Sequence, residues 1–278
     1  MDRQFFTASN KLAWDEVMPL HRNAAGQQLD AVFSQPGYSV LSTRETELHE
    51  QFGLQGKAIA HVCCNNGQEL MSLKNLGAGR CVGFDISSHA VQEARERAEK
   101  CGIPVEFVCT DVYDIESSWD SSFDRVYITV GCLGWMPDLP ELFRVCRRLV
   151  KTGGDIFIHE IHPLAEALAC DGSAESAFGQ SVANAPGPVV VLADNYFRTD
   201  PCIDQGGLDY VGGTDYESHT TQYWFVHPVS AVLMALKQAG FSLEFIQEYP
   251  EDVSGCRKDL QTADVGLPLS WILVEKAV

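Results

Sequence analysis

Basic residues are scarce. Lysine and arginine number 20 against 38 aspartates and glutamates, so the 278-residue chain carries a formal net charge of −18. Such a surface repels phosphate backbones, which argues against nucleic acid as substrate or partner. The densest basic groups are Arg144, Arg147, Arg148 and Lys151, then Arg95, Arg97 and Lys100; both sets fall on amphipathic helical patterns and read as solvated faces. Long apolar runs are missing too. Nothing approaches the ~20 residues of a membrane span, and Met1 to Phe6 lacks the charged-then-apolar build of a signal peptide. No membrane partner is expected. The ten cysteines include no C-x-x-C pair, and Cys63, Cys64, Cys81, Cys109 and Cys146 sit in strand or helix patterns. Free buried thiols in a reducing cytoplasm, with no metal site, are the expectation.

Glycine is sparse at the point where it matters most. Ala58-Ile59-Ala60 leads as a buried strand into His61-Val62-Cys63-Cys64-Asn65-Asn66-Gly67-Gln68-Glu69-Leu70, and Gly67 turns the chain into a helix. A second buried run, Cys81-Val82-Gly83-Phe84, ends on Asp85. Strand, glycine turn, helix and a strand ending in a carboxylate form the nucleotide-binding βαβ unit, with the acid placed for a ribose diol. A dinucleotide site wants three glycines so that a pyrophosphate can lie against backbone. Here the residues from Val62 to Asn66 contain none. A ligand with a ribose and no pyrophosphate tolerates this better.

On these residues the chain resembles the class I S-adenosylmethionine-dependent methyltransferases. The closest likeness is to a bacterial small-molecule branch whose first motif reads His-Leu-x-Cys-x-x-Gly-Gln-Asp. His61, Cys64, Gly67 and Gln68 match it, while Val62 and Glu69 replace its Leu and Asp. The resemblance implies a doubly wound, mostly parallel α/β sheet, S-adenosylmethionine as cofactor and methyl transfer to a small-molecule O or N acceptor. The alternatives are an NAD(P)-dependent oxidoreductase and a non-catalytic cofactor-binding scaffold. Nothing in the sequence assigns an oligomeric state.

The remaining pattern is consistent with one Rossmann-like domain over residues 1–278. Residues 1–55 read as a helical cap, with Pro19 expected to end or bend its first helix. Strands are expected at Lys57–Cys64, Cys81–Asp85, Val105–Cys109, Phe123–Val130 and Asp155–Glu160, alternating with helices. Residues 163–227 read as an inserted lid, rich in Gly, Asp and Ser, with β-like runs at Val189–Phe197 and Thr220–Val226. A last helix, Pro228–Ala239, precedes a final strand pair, Phe241–Tyr249 and Leu269–Lys276, which distinguishes methyltransferase sheets from dehydrogenase ones.

Candidate cofactor contacts are Cys64, Asn65 and Gly67 in the first turn and Asp85 on the ribose. Ile86 would pack on the adenine, and Gly131 would let the backbone approach the cofactor. By the resemblance, Asp111 accepts from the adenine amino group and the Val112 amide reaches a ring nitrogen. The resemblance also places a Trp…His pair, here Trp14 and His21, over the cofactor mouth. The Tyr38 hydroxyl would reach the cofactor carboxylate. Each also has an ordinary reading: a strand-end acid for Asp85, a turn-capping acid for Asp111, packing for Tyr38, Ile86 and Trp14. Trp135, His21, Tyr196 and Trp224 are candidates for the acceptor pocket. A base is needed only for an acceptor protonated at working pH. Candidates are Glu160, His162 (in a His-Pro that resembles the family's) and His227, which follows Trp224. Alternatively, Glu160 binds loop amides and each His satisfies carbonyls where loops meet the sheet.

Overall fold

The computed structural model describes residues 2–170, 190–212, 216–255, 257, 260–261 and 266–278. The chain begins with α1 (Arg3–His21), a π-helical turn (Arg22–Gly26), α2 (Gln27–Phe33) and α3 (Thr43–Gln51). Pro19 does not end α1. The helix passes through it to His21 and continues as the π-helical turn.

The alternating part follows: β1 (Ile59–Val62), α4 (Gln68–Asn75), β2 (Cys81–Asp85), α5 (Ser88–Cys101), β3 (Glu106–Cys109), β4 (Phe123–Thr129), α6 (Leu139–Leu149) and β5 (Val150–Ile161). All four residues of β1 are buried, as a central parallel strand covered on both faces requires. Ser87 caps α5 by accepting from the Ala90 amide at 3.2 Å, and left-handed Gly102 closes it. After β5 come α7 (Pro163–Ala167), β6 (Leu168–Cys170), β7 (Val190–Leu192), β8 (Cys202–Asp204) and β9 (Gln222–Trp224), then α8 (Val229–Ala239), β10 (Phe241–Tyr249) and β11 (Ser270–Ala277). Of the expected 163–227 insertion, residues 171–189 and 213–215 lie outside the described residues, as does Val189 of the first β-like run.

The main sheet has the order β3-β2-β1-β4-β5-β11-β10, and β11 alone of the seven runs against its neighbours. Two small antiparallel pairs, β6–β7 and β8–β9, stand apart from it. Side chains alternate across the sheet. Val62, Phe84, Ile128 and Ile158 pack with Phe143 of α6 and Leu236 of α8. Ile59, Tyr127 and Phe157 pack on the other face with Leu70 of α4, Val91 of α5 and Phe33 of α2. The strand order turns back between β1 and β4, which lie parallel, so a crevice opens at the carboxyl ends of β1, β2 and β4. Ligands sit at such a switch point in open α/β sheets. No helix of the described residues is long and apolar enough to cross a membrane.

Candidate active site

A cavity of about 950 Å³ fills this crevice. Its floor is the turn after β1. There Cys63 and Asn65 adopt φ of 56° and 46°, left-handed values that cost about 1–2 kcal/mol outside glycine. Asn65 tolerates this better than Cys63, because its short amide hydrogen-bonds locally, Oδ1 accepting from the Asn66 amide at 2.7 Å. Gly67 follows at φ 75°, and a Cβ there would lie 2.4 Å from the Phe107 ring. The single glycine of the motif thus meets two demands, a left-handed turn and a close approach to β3.

Asp85 ends β2 inside the cavity wall. Its Oδ2 accepts from the Asn65 amide at 2.7 Å and its Oδ1 from the Ser87 amide at 2.8 Å. Burial pushes its pKa up to about 6 against the pull of those two N–H groups. Ile86 and Val112 line the cavity close by, and Gln68 and Glu69 face it from the first turn of α4. Burial raises Glu69 as well, to about 7. Among the described lining residues Arg257 is the one cation, and it donates to the Ala165 and Leu168 carbonyls. The strand end of the cavity therefore offers carboxylates and apolar plates and no cation for a pyrophosphate. Two carboxylate oxygens, each with one lone pair engaged by backbone, suit the two hydroxyls of a ribose, and the acids suit a ligand bearing positive charge.

The opposite wall is assembled from distant parts of the chain. Helix α1 crosses the mouth, anchored to the sheet by Asp15, which accepts from Ser87 Oγ at 2.8 Å. Asn10 fastens it to β9, Nδ2 donating to the Tyr223 carbonyl at 2.9 Å and Oδ1 accepting from the Tyr223 amide at 2.7 Å. Glu16 accepts from Ser218 Oγ, the His219 amide and Thr220 Oγ1. Three tryptophans from three segments meet here. Trp14 lies 5.4 Å from Trp135, which lies 4.9 Å from Trp224, ring centroid to centroid and near perpendicular. Gly134 makes this possible, because a Cβ there would sit 2.2 Å from the Trp224 ring.

The structure brings Trp14, Asn65, Asp85, Ile86, Asp111, Val112, Gly131, Trp135 and Trp224 to the cavity. Asp111 also caps a short 3-10 turn, Oδ1 accepting from the Tyr113 amide at 3.1 Å. Five other expected cofactor or pocket positions stand off the lining. Cys64 is buried on the opposite side of β1, against Gly83. Gly67 acts through backbone. Tyr38 packs edge-on against Phe33 at 5.1 Å. Tyr196 packs on Phe197 at 4.9 Å, its hydroxyl 3.4 Å from the Val229 amide. His21 stands just behind the wall, 4.7 Å from the Tyr210 ring, with Nε2 3.1 Å from the Leu208 carbonyl; burial lowers its pKa.

The three proton-transfer candidates are engaged elsewhere. Glu160 accepts from the amides of Gly131 (2.7 Å), Leu133 (2.8 Å) and Ile161 (3.1 Å), although burial still pushes it up to about 7. It holds the loop that carries Trp135. His162 caps α7, Nδ1 accepting from Leu164, and its Nε2 lies 2.9 Å from Glu248. His227 Nε2 lies 2.9 Å from the Met136 carbonyl. Glu160 and His227 line a separate recess of about 30 Å³ that shares Ile161, Glu166 and Trp224 with the main cavity. None of the three lines the main cavity itself, because each is spent on fixing a loop. Glu166, Asp204, Asp209 and Gln222, which do line it, carry no motif that a sequence reading could seize. The one available signal was the β-like alternation around Tyr223, which puts Gln222 on the face of Trp224.

Residues 59–154 match a family profile described as a methyltransferase domain. Over 114 residues the chain is 28% identical to the ubiquinone biosynthesis O-methyltransferase of Chromobacterium violaceum, a stretch covering 41% of this chain and 48% of that one. The chain spans about half the length of the curated relatives it matches. Among solved structures it resembles an S-adenosylmethionine dependent methyltransferase from Mesorhizobium loti, with TM-score 0.57, 20% identity and coverage of 80% of this chain and 92% of that one. A putative S-adenosylmethionine dependent methyltransferase from Listeria monocytogenes gives TM-score 0.58 and 16% identity, covering 84% and 97%. The likeness to both is one of fold.

Proposed function

We propose that this chain, whose residues 59–154 match a methyltransferase-domain profile, is a class I S-adenosylmethionine-dependent methyltransferase that transfers a methyl group to an O or N atom of a small molecule. The observation that carries the reading is the placement of Asp85. A buried carboxylate at the end of β2, held by two backbone amides and opening on a large cavity, is ready to receive a diol. Asp85 would hold the ribose, Ile86 and Val112 the adenine faces, and Asp111 its amino group. Asn65, Gln68 and Glu69 would meet the methionine end. Bound there, S-adenosylmethionine supplies an electrophilic methyl group on a sulfonium.

The chain's own part is placement and exclusion of water. In this reading α1 and residues 163–227 act as cap and lid, with Trp14, Trp135 and Trp224 walling the acceptor and offering aromatic faces to positive charge. Glu160, His162 and His227 act as positioning residues that fix the loops around this wall. Eight free cysteines among the described residues favour a reducing compartment, the cytoplasm.

Calorimetric titration with S-adenosylmethionine, S-adenosylhomocysteine and NAD⁺ tests the reading. We expect the first two to bind and the third not to. NAD⁺ binding alone would replace the methyltransferase reading with an oxidoreductase one.

A further inference from the structure

We infer that the cavity wall formed by α1, Glu166, Asp204, Asp209, Gln222 and Trp224 recognises a protonated amine, so that the methyl acceptor is a nitrogen rather than a phenol or carboxylate oxygen. The inference rests on the methyltransferase reading and narrows its substrate class.

The first observation is an acceptor without a donor. Gln222 is 6% exposed and lines the cavity. Its Nε2 donates to Asp204 Oδ2 at 2.7 Å and reaches the Gly207 carbonyl at 3.4 Å. Both partners are acceptors, so the amide cannot be turned round, and Oε1 is left buried with no hydrogen bond. A buried amide oxygen on a cavity wall asks for an N–H or O–H from whatever fills the cavity.

Charge and aromatic faces then select between those donors. Glu166, Asp204 and Asp209 line this wall against one cation among the described lining residues, Arg257, which donates to the Ala165 and Leu168 carbonyls and acts on the Glu166 carboxylate, so that carboxylates outnumber it. An anionic acceptor would meet three carboxylates. A neutral alcohol would satisfy Gln222 and leave the field unused. An ammonium group gives N–H to Gln222 Oε1, charge to the carboxylates and a cation to the faces of Trp14, Trp135 and Trp224. For transfer, the amine passes one proton to a wall carboxylate. Its freed lone pair forms the N–C bond as the methyl–sulfur bond breaks, and the positive charge moves from sulfur to nitrogen. Glu166, which lines the cavity and which burial makes more basic against the pull of Arg257, is the carboxylate we assign to that proton.

The test uses the full chain saturated with S-adenosylhomocysteine and three probes of similar shape: 2-phenylethylammonium, 2-phenylethanol and 3-phenylpropanoate. Binding is read by tryptophan fluorescence. We expect the ammonium to bind about 10-fold or more tighter than the alcohol, and the carboxylate weakest. Gln222→Leu and Asp204→Asn should each erase the preference, and Gln222→Glu should enlarge it, with S-adenosylhomocysteine affinity retained in all three as proof of folding. Equal or tighter binding of the alcohol or carboxylate overturns the inference, as does a preference that survives Gln222→Leu or failure of all three probes to bind. Failure of S-adenosylhomocysteine itself to bind the unmodified chain removes the parent reading, and this one with it.

Discussion

At the strand end of the cavity the polar contacts are made within one βαβ unit; at the far wall they join segments far apart in the chain. Asp85 is held by the amides of Asn65 and Ser87, which lie in turns fixed by neighbouring parallel strands. Across the cavity Asn10 meets Tyr223 and Glu16 meets His219, partners more than two hundred positions apart in the chain. Contacts within the βαβ unit come with the fold, because the strands that carry them are already paired. Side-chain contacts between distant segments can be rebuilt without disturbing the sheet. The first construction suits a ligand that never varies, and the second one that does. A sheet end for the cofactor and a strapped-on wall for the acceptor is the division of labour this predicts.

The sharpest way to break the comparison is at Asp85. Asp85→Ala removes both ribose acceptors and leaves the Asn65 and Ser87 amides without partners. Hydrogen bonds to a charged group contribute about 1.5–3 kcal/mol each, so S-adenosylhomocysteine affinity should fall about 100-fold or more by calorimetry. A loss under threefold would mean that the diol is not held there. Gly67→Ala comes next. A left-handed Cβ and an overlap with the Phe107 ring together cost about 3 kcal/mol, seen as a lower Tm with weaker cofactor binding.

Asn10→Ala probes the other construction. Both Tyr223 backbone groups lose their partner in a buried place, worth about 2 kcal/mol. The comparison predicts a raised KM for the acceptor with S-adenosylhomocysteine affinity changed less than about threefold. If the two fall together, cap and sheet work as one unit and the division is wrong.

The same division governs what could be read from sequence. Strands β1 to β4 are legible because buried parallel strands are short apolar runs between turn residues, and Asp85 because the βαβ spacing marks it. The final strand pair followed from the resemblance, with β11 marked by its own apolar run, Trp271 to Val274; its reversed direction emerged only in the structure. Pro19, expected to end or bend α1, leaves the helix running two residues further to His21 and on into a π-helical turn, because helix boundaries also depend on packing that a single proline does not reveal. The three-residue β8 was invisible, Cys-Ile-Asp being too short to show a period. Glu160, His162 and His227 were singled out for their chemistry, but whether a strand-end acid faces a cavity or a ring of loop amides depends on the course of the loop. Gln222 escaped altogether, because its significance is an unpartnered oxygen, and that exists only in three dimensions.

The smallest expected effect is also the most specific, because it asks whether the charge on Asp85 titrates with the ligand. Its carboxyl is pushed up to about 6 in the free protein. Accepting from two ribose hydroxyls favours the ionised form, so the complex holds fewer protons than the free protein, and affinity must rise with pH. S-adenosylhomocysteine affinity should therefore be flat above about pH 7 and fall by about tenfold between pH 7 and pH 5. Glu69, pushed up to about 7 at the same end of the cavity, titrates over a neighbouring range and would broaden the fall. Asp85→Asn separates the two. It keeps the shape while removing the titration, so the step near pH 6 should vanish and any dependence centred on pH 7 should persist. A step near pH 6 that survives Asp85→Asn would assign it to another group and remove the reason for placing the diol on this carboxylate.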